Sequence, residues 1–310
     1  MRFPAGRLLR HTRFPNRPEQ TMRRALALIL LLLPLVAAAQ SSVWQVETPR
    51  GALYLAGSIH VLRQSDYPLP PEFEAAWRGS EVLVLEMDLA TATDAAAQQM
   101  LLSRGLYGGK ETIREHLSPE VYARLADYCR KRQVPLATLE RFRPWMLVMT
   151  LTMAEMQAEG FEPDAGVDAH FYARARQEGR AVHGLETLAD QVEALAGFDQ
   201  QGDPLVANFL EESAALPELM ADMVGAWRTG DSEQLAELVA RDMREGYPSL
   251  YDALLVKRNR RWLPVLDEWA RSGKRVMVVV GSAHLVGEEG LVAMLRQRGY
   301  RVVPLALGAP

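Results

Sequence analysis

The sequence of 310 residues contains a single cysteine, Cys129, and only 7% aromatic residues. One cysteine excludes an internal disulfide, a cysteine-rich zinc site and an iron–sulfur cluster, so any metal ion must be held by histidine and carboxylate side chains. The sequence also lacks an uninterrupted run of about 20 apolar residues, the length that a membrane-spanning helix needs. With 48% hydrophobic and 24% charged residues, the composition is that of a globular protein and excludes disordered and collagen-like chains.

The longest apolar stretch, residues 25–39, follows two arginines and ends in three alanines. A charged segment, an apolar segment and small residues in this order are typical of a secretory signal peptide. We therefore expect residues 1–39 to be a signal peptide that is cleaved after Ala39. Residues 1–21 are expected to be an upstream start-site artefact, because Met22 directly precedes the arginine pair. The mature protein is then periplasmic or secreted, without a stable membrane anchor.

The mature chain is acidic. Without residues 1–39 it keeps 28 Lys and Arg against 38 Asp and Glu, a net charge of −10. Binding to nucleic acid depends largely on neutralisation of phosphates by Lys and Arg, and the mature chain has no basic block that could do this. Nucleic acid is therefore not expected among its partners.

Short apolar runs predict strands near both ends of the mature chain. Two of them flank a Thr-Pro-Arg-Gly turn and predict an N-terminal hairpin. The intervening sequence carries apolar residues at three- and four-residue spacing and is helical in pattern. Pro217 and Pro264 are expected to kink or divide two of these helices. The predicted strands are residues 44–47, 52–56, 82–86, 180–185 and 275–280, and the predicted helices are residues 119–132, 144–159, 167–178, 203–229, 232–245, 251–272 and 287–298.

This order of elements predicts an α/β protein. The central β-sheet is expected to form from the N- and C-terminal segments, with a helix-rich insertion at about residues 110–250. We expect residues 40–310 to form one domain.

The tetrapeptide Gly-Ser-x-His occurs twice, at residues 57–60 and 281–284, each time directly after a predicted strand. Glycine allows the backbone to turn sharply and to approach a ligand closely. Sites in open α/β sheets form outside the carboxyl ends of the strands. We therefore expect His60, His284 and the strand-terminal Glu86 to converge from three strands. The alternative is that each motif is only a strand-to-helix turn with a capping histidine.

Two imidazoles and a carboxylate are a donor set for a first-row divalent cation, and they can leave positions open for water. Such a cation lowers the pKa of the water and polarises a carbonyl group. Glu86 is then either a metal ligand or the base that takes a proton from the water. Its alternative role is that of a solvated acid at a strand end.

Further polar residues lie close to these motifs in the predicted fold. Glu186 either supports the site or belongs to a helix N-terminus, where carboxylates are favoured. Asp168 lies in a helical stretch, where a capping role competes with a functional one. The basic run at residues 257–261 is either a solvated helix face or presents Arg258 or Asn259 to a developing oxyanion. The residues expected to support the site or to contact substrate are Glu186, Asp168, Asn259, Ser58 and Ser282.

The sequence resembles the TraB/PrgY/GumN family, which is related to the Tiki metalloproteases. The resemblance covers nearly the whole mature chain. Its most specific part is the pair of Gly-x-x-His motifs, with a Glu after the first motif and an Arg before the second. The family pattern falls on His60, Glu86, Arg258 and His284. The segments that carry the resemblance are residues 54–60, 83–87, 166–168, 184–187, 258–259 and 280–284.

This resemblance implies an α/β fold shared with erythromycin-esterase-like and haem-binding ChaN-like proteins. For the Tiki branch it implies a metal-dependent peptidase that uses manganese or cobalt, and zinc fits the same ligands. Tiki proteins are tethered to a membrane, whereas this chain is expected to be exported and free.

The leading hypothesis is an exported metal-dependent hydrolase, a peptidase that acts on a peptide or protein. His60, His284 and Glu86 hold the cation, and Glu86 and Arg258 are the catalytic residues, with Arg258 stabilising the oxyanion or orienting the substrate. One alternative is a non-enzymatic protein that binds haem or a peptide in the same cleft. Another is a pheromone- or conjugation-related factor that acts through protein partners. A hydrolase of non-protein substrates, such as an esterase, is a subordinate option.

Overall fold

The computed structural model describes residues 40–92 and 94–307. The expected signal peptide and its cleavage site lie outside the described residues. Within the described residues, the chain forms a six-stranded sheet surrounded by helices. The strands are β1 (Val43–Val46), β2 (Ala52–Ser58), β3 (Val82–Leu85), β4 (Ala181–Gly184), β5 (Arg275–Gly281) and β6 (Val302–Pro304).

Most of the other described residues are helical. A π-helix, Asp252–Val256, runs directly into the long helix that follows it, and a 3₁₀ turn, Ser282–His284, follows β5. The α-helices are α1 (Pro71–Arg78), α2 (Leu89–Ala92), α3 (Ala95–Gly105), α4 (Pro119–Lys131), α5 (Pro144–Ala158), α6 (Val167–Glu178), α7 (Leu188–Ala196), α8 (Gly202–Glu212), α9 (Leu216–Thr229), α10 (Ser232–Gly246), α11 (Pro248–Tyr251), α12 (Lys257–Arg271) and α13 (Leu291–Gln297).

The strand order places the ends of three strands side by side. The order is β4-β3-β5-β2-β1-β6. Strands β4, β3, β5 and β2 pair in parallel, whereas β1 is antiparallel to both β2 and β6. In the register, Ser58 lies opposite Gly281, and Leu85 lies opposite Val279. The residues that follow β2, β3 and β5 therefore share one edge of the sheet.

Strands β3 and β5 are buried on both faces because their sequences are continuous apolar runs. Every residue of β3 is buried, and so are residues 276–281 of β5. This burial is expected of central parallel strands that helices cover on both sides. Helices α1 and α6 meet through Trp77 and Phe171, whose ring centroids are 5.3 Å apart. Both rings belong to the same apolar core as the sheet.

A separate apolar cluster forms among helices α4, α5 and α8. It includes Leu125, Leu147 and Val206, and it also buries Cys129, as the apolar face of the predicted helix indicates. Among residues 40–92 and 94–307, the helices fall short of the combined length and apolar character that crossing a membrane requires.

The predicted α/β class, the five predicted strands and the N-terminal hairpin are confirmed. Strand β6 was not predicted, because it has only three residues and is defined by its pairing with β1. Pro217 lies in the first turn of α9 and separates it from α8, as expected. Pro264 does not divide its helix: α12 continues through it to Arg271, held by buried side chains such as Trp262 and Leu266 on either side.

Candidate metal and catalytic site

The structure brings His60, Glu86 and His284 together at the carboxyl edge of the sheet. Oε1 of Glu86 lies 3.7 Å from Nε2 of His60 and 3.8 Å from Nε2 of His284. The side chains of Glu86 and His284 are 12% and 4% exposed, whereas that of His60 is 56% exposed. The cluster is therefore open to solvent at His60 and closed at His284.

The two Gly-Ser-x-His segments pack against each other. Oγ of Ser282 donates a hydrogen bond of 3.0 Å to the carbonyl oxygen of Ser58. A side chain at Gly57 would not fit, because a Cβ atom there would lie 2.7 Å from Oγ of Ser282. Ser282 thus joins the two turns, so its role is to shape the site and not to contact a ligand.

His60 is oriented by Asp168. Its Nδ1 lies 3.1 Å from Oδ1 of Asp168, which also accepts a hydrogen bond of 2.6 Å from Oγ of Ser58. Asp168 lies in the first turn of α6. This turn can approach His60 because residue 166 is a glycine: a Cβ atom there would lie only 2.2 Å from the carbonyl oxygen of His60. With Nδ1 engaged by a carboxylate, Nε2 faces the cluster.

Two carboxylates control the charge of His60. The surrounding protein disfavours the charged ring, but Asp168 and Glu86 outweigh this effect and raise the pKa of His60 to about 9. Because more than half of the side chain is exposed, solvent weakens both effects while the direction stays upward. A cation that binds His60 must therefore displace a proton from it near neutral pH.

His284 is oriented by Asn259. Nδ2 of Asn259 donates to the carbonyl oxygens of His284 and Glu289, at 3.2 and 2.9 Å. Oδ1 of Asn259 therefore faces Nδ1 of His284, at 2.7 Å, and accepts its hydrogen. This assignment leaves the lone pair of His284 on Nε2, directed at the cluster. Burial, aided by the charge of Arg258 and opposed by Glu86, lowers the pKa of His284 to about 3, so the ring is neutral.

Arg258 is enclosed by acceptors. Its Nη2 donates to Oε2 of Glu86 at 2.5 Å and to Oε1 of Glu186 at 2.6 Å, and its Nε donates to the same Glu186 oxygen at 2.9 Å. Its Nη1 donates to the carbonyl oxygen of Leu254 at 3.2 Å and to Nε2 of His284 at 3.1 Å. A guanidinium has five N–H donors, and all of them have a partner here. In this arrangement Arg258 positions Glu86 and His284.

Glu186 contacts Arg258 and is not itself part of the cluster of His60, Glu86 and His284. Its side chain is 3% exposed. Besides Arg258, it accepts a hydrogen bond of 3.0 Å from Nε1 of Trp262. Glu186 therefore reaches the site through Arg258, and its supporting role stays a prediction.

Glu86 is fixed through both of its oxygens. Oε1 accepts the backbone N–H of Gly281 at 2.7 Å, and Oε2 accepts from Arg258 and, at 3.3 Å, from Nε2 of Gln191. Burial favours the neutral acid, but the two imidazole rings, the guanidinium and the backbone N–H outweigh it and lower the pKa of Glu86 to about 2. A carboxylate with so low a pKa is a weak proton acceptor. These contacts favour Glu86 as a ligand over Glu86 as a base.

The donor set and the space between these side chains suit a small cation. A Cβ at Gly281 would lie 3.0 Å from Nε2 of His60 and 3.2 Å from Oε1 of Glu86, so the glycine keeps this space open. Two imidazole nitrogens and a carboxylate oxygen are ligands that manganese, cobalt and zinc accept. As they stand, the His, Cys, Asp and Glu side chains of the described residues do not form a complete metal site. The contact of Arg258 with His284 must be given up before that nitrogen can serve as a ligand.

Gln191 was not predicted as a site residue. It lies on α7, one turn after Thr187, which caps the helix through Asp190. No motif marks it, and only the tertiary structure brings its amide to Glu86, 105 residues away in the sequence.

The family model of the TraB/PrgY/gumN family matches residues 42–304, and the chain belongs to this family. An Escherichia coli relative, the uncharacterized protein YbaP, is 25% identical over 243 residues, which cover 78% of this chain and 87% of YbaP. The metalloprotease TIKI2 of Danio rerio is 24% identical over 320 residues, covering 84% of this chain and 60% of TIKI2. The human metalloprotease TIKI1 is 22% identical over 337 residues, covering 90% and 65%. No solved structure matches the chain.

Proposed function

We propose that the protein is an exported metal-dependent hydrolase, a peptidase, in which His60, Glu86 and His284 hold a divalent cation. The observation that carries the proposal is that two imidazole Nε2 atoms, each directed by its own hydrogen-bond partner, lie 3.7 and 3.8 Å from one carboxylate oxygen. Asp168 and Asn259 are those partners. The distant relationship to the Tiki metalloproteases supports the same reading.

When bound, a manganese, cobalt or zinc ion would lower the pKa of a water molecule and polarise a peptide carbonyl. The residues of the chain orient the ligands for it. Asp168 and Asn259 keep the lone pairs of the histidines directed at the site, which is the usual role of outer partners of metal-binding imidazoles. The backbone N–H of Gly281 holds Oε1 of Glu86 in place.

Arg258 connects metal binding to the substrate in this proposal. Its Nη1 donates to Nε2 of His284, and this N–H would be released if that nitrogen served as a ligand. Nε and Nη2 stay paired with Glu186 and Glu86. The released N–H is then free to donate to the carbonyl oxygen of a substrate, where negative charge develops. Arg258 would therefore stabilise an oxyanion through Nη1 once His284 serves as a ligand.

Cleavage of a library of internally quenched peptides tests the proposal. We expect the purified protein to cleave peptides with manganese or cobalt, to lose activity with a chelator and to regain it when metal is returned. A folded His60→Ala/His284→Ala variant should be inactive. His183→Ala should stay active, because His183 lies on β4 and contacts Trp269 outside the site. Cleavage that persists with the chelator, or in the double variant, contradicts the proposal.

A further inference from the structure

A cavity of about 320 Å³ adjoins the cluster of His60, Glu86 and His284. Arg258 and the two motif serines also border it. The rest of its wall comes from α9, α10 and the π-helix. Beyond the cluster, Arg258 and the two motifs, the residues that form this wall are Val61, Met220, Met223, Val239, Met243, Leu254 and Leu255. We call this space the methionine-lined cavity.

The wall of the methionine-lined cavity is anchored from behind. Met220, Met223 and Val239 are half-buried and pack against the apolar core of the sheet. Met243 and Leu254 pack against a smaller apolar cluster next to the second motif. Methionine is unbranched and polarisable, so it adapts to ligands of different shape. The position of the wall is therefore fixed by this packing, whereas its methionine side chains can adjust to the shape of a ligand.

The charged groups that border the methionine-lined cavity already have partners. Arg258 is paired with Glu86 and Glu186, and His60 with Asp168. Among the described residues that line the cavity, no other residue carries a charge. An apolar group would remove apolar surface from water here, whereas a charged group would be desolvated without a partner.

A second cavity borders the same edge of the site. It is also lined by His60 and Glu86, but its other polar residues are Asp168 and Gln191. The two cavities share only His60 and Glu86. A chain that passes these two residues therefore finds space in two differently lined cavities, of which only the methionine-lined one has an extended apolar wall free of further charges.

We infer that the methionine-lined cavity receives an apolar side chain of the substrate, from a residue next to the bond that is cleaved. The inference rests on the proposed function and names its substrate class: peptides with Met, Leu or Phe at this position, and not Asp or Lys. Met220 and Met223 are the residues that determine this specificity.

The test uses peptide hydroxamates, whose chelating group binds the metal ions of hydrolases. Two series place one variable side chain on the acyl side or on the amine side of the hydroxamate. Their dissociation constants with the manganese-loaded protein are measured by calorimetry. In one of the two series, we expect Met, Leu and Phe to bind about 10-fold or more tightly than Asp or Lys, the size expected for burying one apolar side chain.

Two variants and a matched control locate the preference. Met220→Asp and Met223→Asp should abolish it while the circular dichroism spectrum stays unchanged and manganese is still bound, because neither residue is one of the proposed ligands. Leu219→Asp should keep it, because Leu219 is the neighbour of Met220 on α9, is 36% exposed and does not line the cavity.

The outcomes separate the inference from the proposed function. Equal affinity for all side chains in both series, or a preference that survives both methionine variants, overturns the inference and leaves the metal site standing. A protein that binds neither manganese nor any hydroxamate refutes the proposed function, and the inference with it.

Discussion

Nη1 of Arg258 lies 3.1 Å from Nε2 of His284. This nitrogen carries the free lone pair of the ring, because Asn259 holds the ring hydrogen on Nδ1. A guanidinium N–H therefore occupies the position from which this imidazole would bind a cation. The same guanidinium forms ion pairs with both Glu86 and Glu186. Arg258 is thus expected to matter for stability as well as for function.

Removal of Arg258 should destabilise the protein strongly. Arg258→Ala leaves Glu86 and Glu186, whose side chains are 12% and 3% exposed, without their buried cation. Breaking a buried ion pair from one side costs about 3–5 kcal/mol of unfolding free energy. Arg261→Ala is the control, because Arg261 approaches the same Glu186 at 3.4 Å but is 51% exposed, and about 0–1 kcal/mol is expected. Urea unfolding measures both, and similar small losses would contradict the account.

Asn259 should control metal affinity without being a ligand. Asn259→Leu removes the acceptor that fixes the proton on Nδ1 of His284. Loss of such an outer partner typically lowers metal affinity about 10- to 100-fold, which a manganese titration by calorimetry would show. Asn208→Leu on α8 is the control, because the Asn208 amide donates to Glu212 at the exposed surface and lies outside the site. Unchanged manganese affinity in Asn259→Leu would argue against His284 as a ligand.

Gly281 should be required for the metal and not for the fold. Gly281→Ala places a methyl group 3.0 Å from Nε2 of His60 and 3.2 Å from Oε1 of Glu86. We expect a folded protein without manganese binding. Gly225→Ala on α9 meets open space, so it should keep manganese binding and gain up to about 1 kcal/mol from its higher helix propensity. A folded Gly281→Ala variant with wild-type affinity would place the cation elsewhere.

Cys129 should be unreactive in the folded protein. Its residue is 1% exposed, and burial raises the pKa of its thiol. A raised pKa lowers the fraction of thiolate, the reactive form, at any given pH. With a thiol-specific disulfide reagent at about pH 8, we expect no reaction of the native protein and reaction of the one thiol after unfolding in urea. Fast reaction of the native protein would show that this helical cluster opens readily.

The strands that position the site could be predicted because their signals are local. Residues 276–280 are a continuous apolar run, and burial on both faces follows from that. The order of strands depends on pairings between distant segments, such as Ser58 with Gly281, and no local pattern specifies it. Strand β6 has three residues, too few to show a period.

In the site, too, local signals could be predicted from the sequence, whereas contacts between distant segments could not. His60, Glu86 and His284 could be identified because each follows a strand end directly. Asp168 was a candidate supporting residue, but its pairing with His60 could not be predicted, because the two residues are 108 positions apart in the sequence and meet only through the packing of α6. Saturation of the Arg258 donors likewise depends on how α12 and the segment around Glu186 fold together. Single residues were thus accessible from the sequence, whereas their hydrogen-bond partners required the tertiary structure.

A calorimetric manganese titration of the chelator-treated protein, beside the His60→Ala/His284→Ala and His183→Ala variants, shows whether His60 and His284 hold a metal ion. We expect stoichiometric binding by the wild type and by His183→Ala. The double variant should show no saturable binding and an unchanged circular dichroism spectrum. Equal manganese binding by a folded double variant would contradict the assignment of the metal to this site.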